Sequence, residues 1–199
     1  MSENSDGITP SPTQPGFGTA QVVFLATMVA LDFAFGWVAK PLVQSLGLGS
    51  FLKVEMIPAV MLMLLTRLTL DRFGVLIAYQ AAWALVATVL MPGAVLPGPL
   101  KLVPLMLQGL FLDGIFTGCR RWATFRIFAA SMVGGLAGSL LVGALRVMMG
   151  MPWARSTQAY LGLQLLGSAL VHLAGAGLAV AVWRRVREHP ALQWLKAGP

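Results

Sequence analysis

The side chains best suited to contact a small solute are Lys53, Glu55, Gln80, Trp83, Lys101, Gln108, Tyr160 and Gln164, all set in or beside long apolar runs. Tyr160, Gln164, Ser168 and His172 follow one another at steps of four, a polar stripe on an otherwise apolar helix. Lys101 and Gln108 are seven apart, and Gln80 and Trp83 three apart, so each pair shares a helix face. Polar groups surrounded by hydrocarbon need partners or a water-filled cavity. One reading is a solute pocket, open to the outside, built from amides, a tyrosine, a tryptophan and a few charges. The other is a set of interhelical hydrogen bonds that only fixes the bundle. His172, deeper in its helix, reads as structural.

Small residues form a second pattern. In ATMVALDFA, Ala26, Ala30 and Ala34 lie at i, i+4 and i+8 and make a flat stripe on one helix face. Such a stripe lets another helix approach closely in lipid, either a partner's helix or one from the same bundle. Asp32 is two residues from Ala30 and Ala34, about 200° around the helix, so it faces away from the stripe, and if the stripe faces outward to a partner, Asp32 faces inward, where an acid can be paired. Further along, Ala130, Gly134 and Gly138 form one stripe and Ser131, Gly135, Ser139 and Gly143 the next, which reads as close packing inside the bundle, as does AGAG at Ala174 to Gly177.

Familiar catalytic signatures are missing. The sequence has no G-x-x-x-x-G-K-[ST] for a nucleoside triphosphate and no H-E-x-x-H. It has two histidines, one cysteine (Cys119) and no closely spaced acid pair for general acid/base work. These features argue against an enzyme, a cysteine or histidine metal centre and a bound cofactor. Asp113, close to Arg120 and Arg121, reads as a solvated interfacial acid, and Arg67, Asp71 and Arg72 as an ordinary turn.

The elements that carry these residues are membrane helices. The chain is 57% hydrophobic and 11% charged over 199 residues, against about 25% charged for a soluble domain. The fold expected is an all-α membrane protein, a bundle of six transmembrane helices. The apolar runs are about Gln21 to Ala39, Phe51 to Leu68, Phe73 to Met91, Leu100 to Thr117, Phe125 to Met149 and Ala159 to Trp183. Pro58 should kink the second run or mark its first turn. Residues 1–19 read as a disordered tail rich in Pro and Gly, 20–187 as the transmembrane domain and 188–199 as a C-terminal tail. With six spans, Arg67, Arg72, Arg120, Arg121, Arg126, Arg184, Arg185, Arg187 and Lys196 share the side of both termini. Lys40, Lys53, Lys101, Arg146 and Arg155 lie toward the other. That bias puts both termini in the cytoplasm, and it accounts for the net charge of +7 without nucleic acid.

The size, six helices, inward termini and the Ala26, Ala30, Ala34 stripe resemble the substrate-binding S components of energy-coupling factor transporters. FLKVEMIPAV, Phe51 to Val60, is similar to the stretch after the first loop in vitamin-binding members, notably riboflavin-type ones, with Glu55 in place of their acid-and-serine pattern. The resemblance implies a prokaryotic inner-membrane subunit that takes a vitamin or related micronutrient from outside. It implies a pocket at the outer ends of helices four to six, gated by the loop after helix one. It also implies that Ala26, Ala30 and Ala34 dock on a transmembrane coupling subunit driven by two cytoplasmic ATPases. The rival expectation is a non-transporting membrane scaffold like the rod-shape-determining proteins of similar size, with no ligand.

Overall fold

The computed structural model describes residues 17–45, 53–91, 96–122, 124–150 and 157–192. Among them are six α-helices: α1 (Thr19–Ser45), α2 (Ile57–Leu70), α3 (Val75–Leu90), α4 (Leu102–Gly118), α5 (Phe125–Met148) and α6 (Thr157–Val186). Single 3-10 turns at Val54–Met56 and Gly98–Lys101 lead into α2 and α4. No strand occurs among the described residues. The loop after α1, the connection at 92–95 and the segment 151–156 lie outside them, as do 1–16 of the expected N-terminal tail and 193–199 of the C-terminal one.

Four helical stretches are long and apolar enough to cross a bilayer: Thr19–Ser45, Gly98–Gly118, Phe125–Met148 and Leu165–Val186. The helices α2 and α3 are shorter, 14 and 16 residues, or about 21 and 24 Å against a hydrocarbon core of roughly 30 Å. What α2 lacks in length it makes up in burial. Every residue from Leu62 to Leu70 is buried, because α2 touches α1, α3, α5 and α6. The remaining helix neighbours are α1 with α3, α3 with α4, α4 with α5, and α5 with α6, so α2 is the hub of the packing. Leu64, Leu76, Leu112, Phe116, Ala130, Ala176 and Ala179, all fully buried, belong to one core cluster.

Proline plays different parts at two helix ends. Pro58 sits in the first turn of α2, where its missing N–H costs nothing. Pro41, by contrast, does not end α1. The helix runs past it to Ser45, whose hydroxyl bonds the Leu42 carbonyl. At the other end α1 starts at Thr19, inside the expected tail, and Phe17 before it lies under the Arg72 guanidinium, 5.3 Å from ring centroid to Cζ. The α2–α3 turn uses two left-handed residues, Asp71 (φ 34°) and Gly74 (φ 92°), and the Asp71 N–H closes α2 on the Arg67 carbonyl.

Small residues set how close the helices come, since lipid-embedded helices lack a hydrophobic drive to associate. A Cβ on Gly109 would lie 2.8 Å from the Leu76 carbonyl oxygen and 2.9 Å from Ile77 Cα, so α3 and α4 touch backbone to backbone. On α5, a Cβ at Gly134 would strike Leu112 of α4, and one at Gly135 would strike the His172 ring of α6. Ala130, Ser131 and Gly138 are buried beside them, so α5 does pack through small residues. The stripe does not extend to Gly143, which has open space around it. In AGAG, Gly175 and Ala176 are buried while Ala174 is exposed.

Candidate functional site

The α1 helix presents two opposite faces. Ala26, Ala30 and Ala34 are all exposed. Asp32 is buried, and its Oδ2 accepts a hydrogen bond from the Tyr79 hydroxyl of α3 at 3.0 Å. Next to it, Phe33 stacks on Trp83, ring centroids 5.2 Å apart at 23°. Among the described residues the alanine stripe is left exposed, and Asp32, on the opposite side of α1, is paired inside. Trp37, Val38 and Leu42 continue the exposed, apolar side of α1 toward its C-terminal end.

The expected solute-binding residues do not gather around one described cavity. Gln80 is buried and its Nε2 lies 3.3 Å from Met63 Sδ of α2, while Trp83 is held by Phe33 of α1. Gln108 turns toward α5, where a Cβ on Gly138 would come 2.6 Å from its Cδ. Lys101 is not a free charge. It is fully buried, and its Nζ donates to the carbonyls of Ala87 and Met91 at 3.0 and 2.8 Å, closing the C-terminus of α3. That is the end at which orphan carbonyls and the helix dipole favour a cation. Lys53 is exposed just before the first 3-10 turn. Glu55 is half-buried, and its Oε2 is a buried acceptor without a hydrogen-bond partner in the described structure. Tyr160 and Gln164 lie on α6, with side chains outside the described residues. Lower on the same stripe, the Ser168 hydroxyl meets that of Ser139 at 3.0 Å. The His172 ring is buried on Gly135, and its carbonyl accepts from Ser131. This half of the stripe serves α5–α6 packing.

The densest polar network lies elsewhere, at the end of the bundle where α2 leaves and α3 begins. Asp113 is fully buried, not solvated. Its Oδ1 accepts from Arg67 Nε at 2.7 Å, and its Oδ2 from the N–H groups of Gly74 and Leu76 at 3.0 and 2.9 Å. An acid there satisfies orphan donors at the N-terminus of α3. Arg67 is buried as well, far from an ordinary turn residue. Its Nη1 lies 3.2 Å from Asp71, its Nη2 3.3 Å from Thr117, and its Cζ 5.0 Å from the Phe116 ring centroid. The signal for this pair was present in the sequence: one Arg and one Asp, each inside an apolar run, three and five residues from helix ends that meet at the same level. An ionisable side chain in such a run calls for a partner.

A helical protein with four stretches able to span a bilayer is compatible with a multi-pass membrane protein. No protein-family model matches the chain, and neither does a curated protein or a solved structure.

Proposed function

We propose that the chain is the substrate-binding S component of an energy-coupling factor importer for a vitamin or related micronutrient. In this reading it lies in the cytoplasmic membrane of a prokaryote with six spans and both termini inside. Its partners are a transmembrane coupling subunit and two cytoplasmic ATPases. The observation that carries the reading is the two-faced first helix: Ala26, Ala30 and Ala34 exposed together while Asp32, two residues from Ala30 and Ala34, is tied to Tyr79 inside. An alanine face left exposed among the described residues is suited to a second helix at short range. The unpartnered Glu55 carboxylate oxygen and the exposed Lys53, both at the end of α2 opposite the Arg67 network, supply polar groups for a solute on the outer side.

The scaffold reading draws support from one observation, the α5–α6 interlock of Ser139 with Ser168 and Gly135 with His172, which uses polar groups for packing alone. Two measurements separate the readings. A thermal-shift screen of the purified protein against water-soluble vitamins should find one that raises Tm, since a ligand at 100 times its Kd adds about 2.7 kcal/mol. Ala30→Trp, on an exposed surface, should keep that response and lose co-purification with the coupling subunit and uptake together. No vitamin response, or normal uptake by Ala30→Trp, would remove the S-component reading.

A further inference from the structure

At the end of the bundle that holds the Arg67–Asp113 pair is a cavity of about 290 Å³, with Arg67, Arg72, Arg120 and Arg126 on its wall and Asp71 as its one acid. Asp113 balances Arg67 from behind, at 2.7 Å. Asp71 is shared. It lies 3.2 Å from Arg67 but 3.9 Å from both Arg120 and Arg126, beyond the 2.7–2.9 Å typical of a charge-assisted hydrogen bond. Counting Arg67, Arg120 and Arg126 against Asp71 and Asp113, the wall keeps an excess of about one positive charge. Arg126 sharpens the point. Its side chain is 15% exposed, its guanidinium is held 4.9 Å above the buried Phe116 ring, and its Nε is buried with no acceptor. Arg126 nevertheless lines the cavity, and the planar fork of its guanidinium suits a phosphate.

The surroundings indicate where that phosphate comes from. The cavity opens at the ends of long apolar helices, and exposed aromatics flank it: Phe73 on its rim, with Trp122 and Phe125 beside Arg126. An exposed tryptophan such as Trp122, beside arginines at helix ends, is an arrangement found at the headgroup level of a bilayer. Basic pockets between helices at this level take anionic lipid headgroups. We infer that this cavity binds a phosphate group, supplied by the headgroup of an anionic phospholipid, with Arg120 and Arg126 as its principal contacts. The inference needs only that the helices span a bilayer. It is independent of whether the chain imports a solute.

The test uses the full chain purified in detergent. Native mass spectrometry follows retention of phosphatidylglycerol, with phosphatidylcholine and millimolar inorganic phosphate as separate arms. Wild type should retain phosphatidylglycerol selectively. Arg120→Gln with Arg126→Gln should weaken retention about ten- to a hundred-fold, as expected for two lost charge-assisted contacts. Should the double variant unfold, Arg120→Gln alone decides, because Arg120 is 75% exposed and outside the packed core. Equal retention of phosphatidylcholine, or single and double variants that hold phosphatidylglycerol like wild type, would overturn the inference. Displacement of the lipid by inorganic phosphate alone would overturn the lipid as the source, making this a site for the free anion.

Discussion

Arg67 of α2 and Asp113 of α4 face each other at 2.7 Å, 46 residues apart in sequence and both shut away from solvent. Asp113 also holds the first N–H groups of α3, so one carboxylate fastens three helices. Removing one partner of a buried ion pair leaves an uncompensated charge, a loss of about 3–5 kcal/mol. Asp113→Leu and Arg67→Leu should each lower the unfolding temperature in detergent strongly. The double variant should be less damaged than the two losses added together, though not restored, because the Gly74 and Leu76 N–H groups stay without their acceptor. Strict additivity in thermal unfolding would mean the two side chains act separately.

Tyr79→Phe removes the hydroxyl that Asp32 accepts from and strands a buried carboxyl oxygen. The loss should be about 1–3 kcal/mol. Asp32→Asn keeps an acceptor for the Tyr79 hydroxyl and should cost less. Unfolding curves that rank the two variants the other way would show that something other than this hydrogen bond sets stability at the α1–α3 contact.

Gly109 offers a clean steric test. Alanine there places a methyl group 2.8 Å from the Leu76 carbonyl oxygen, which cannot retreat without moving α3. Gly109→Ala should cost about 1–3 kcal/mol. Gly114→Ala on the same helix meets nothing within 4 Å and should be neutral or stabilising by up to about 1 kcal/mol through helix propensity. Equal melting of both variants would contradict the backbone contact between α3 and α4.

Cys119 lies half-buried in the turn after α4 and reports orientation. With both termini cytoplasmic, a membrane-impermeant thiol reagent should label it in inverted vesicles and not in intact cells. Labelling from outside would reverse the proposed topology and move Lys53 and Glu55 to the inner side with it.

How much of this was legible beforehand differs from residue to residue. Apolar runs at the right length located all six helices, with ends off by up to about six residues, because helix formation in an apolar sequence depends on local composition and on the position of Pro and Gly. The first apolar run was ended at Ala39, whereas α1 continues through Pro41 to Ser45. A proline near a helix C-terminus removes only one bond, and the chain tolerates it. Of the expected solute-binding residues, Lys101 and Gln80 are engaged with neighbouring helices.

Helical periodicity alone determined which way side chains face on α1: Ala26, Ala30 and Ala34 on one side, Asp32 on the other, since 100° per residue fixes relative direction whatever the neighbours are. The same periodicity, with glycines in rows, determined that α5 packs through small residues. Only the tertiary structure decided who meets whom. At 1.5 Å per residue, Asp32 stands about 20 Å along α1 and Tyr79 only about 6 Å along α3, so their hydrogen bond depends on the offset and tilt of two helices, which no local pattern encodes. Lys101 reaches the carbonyls of Ala87 and Met91 because α3 ends where α4 begins. Arg67 and Asp113 became a pair because α2 was drawn to the centre, where its buried Arg67 meets the buried Asp113 of α4.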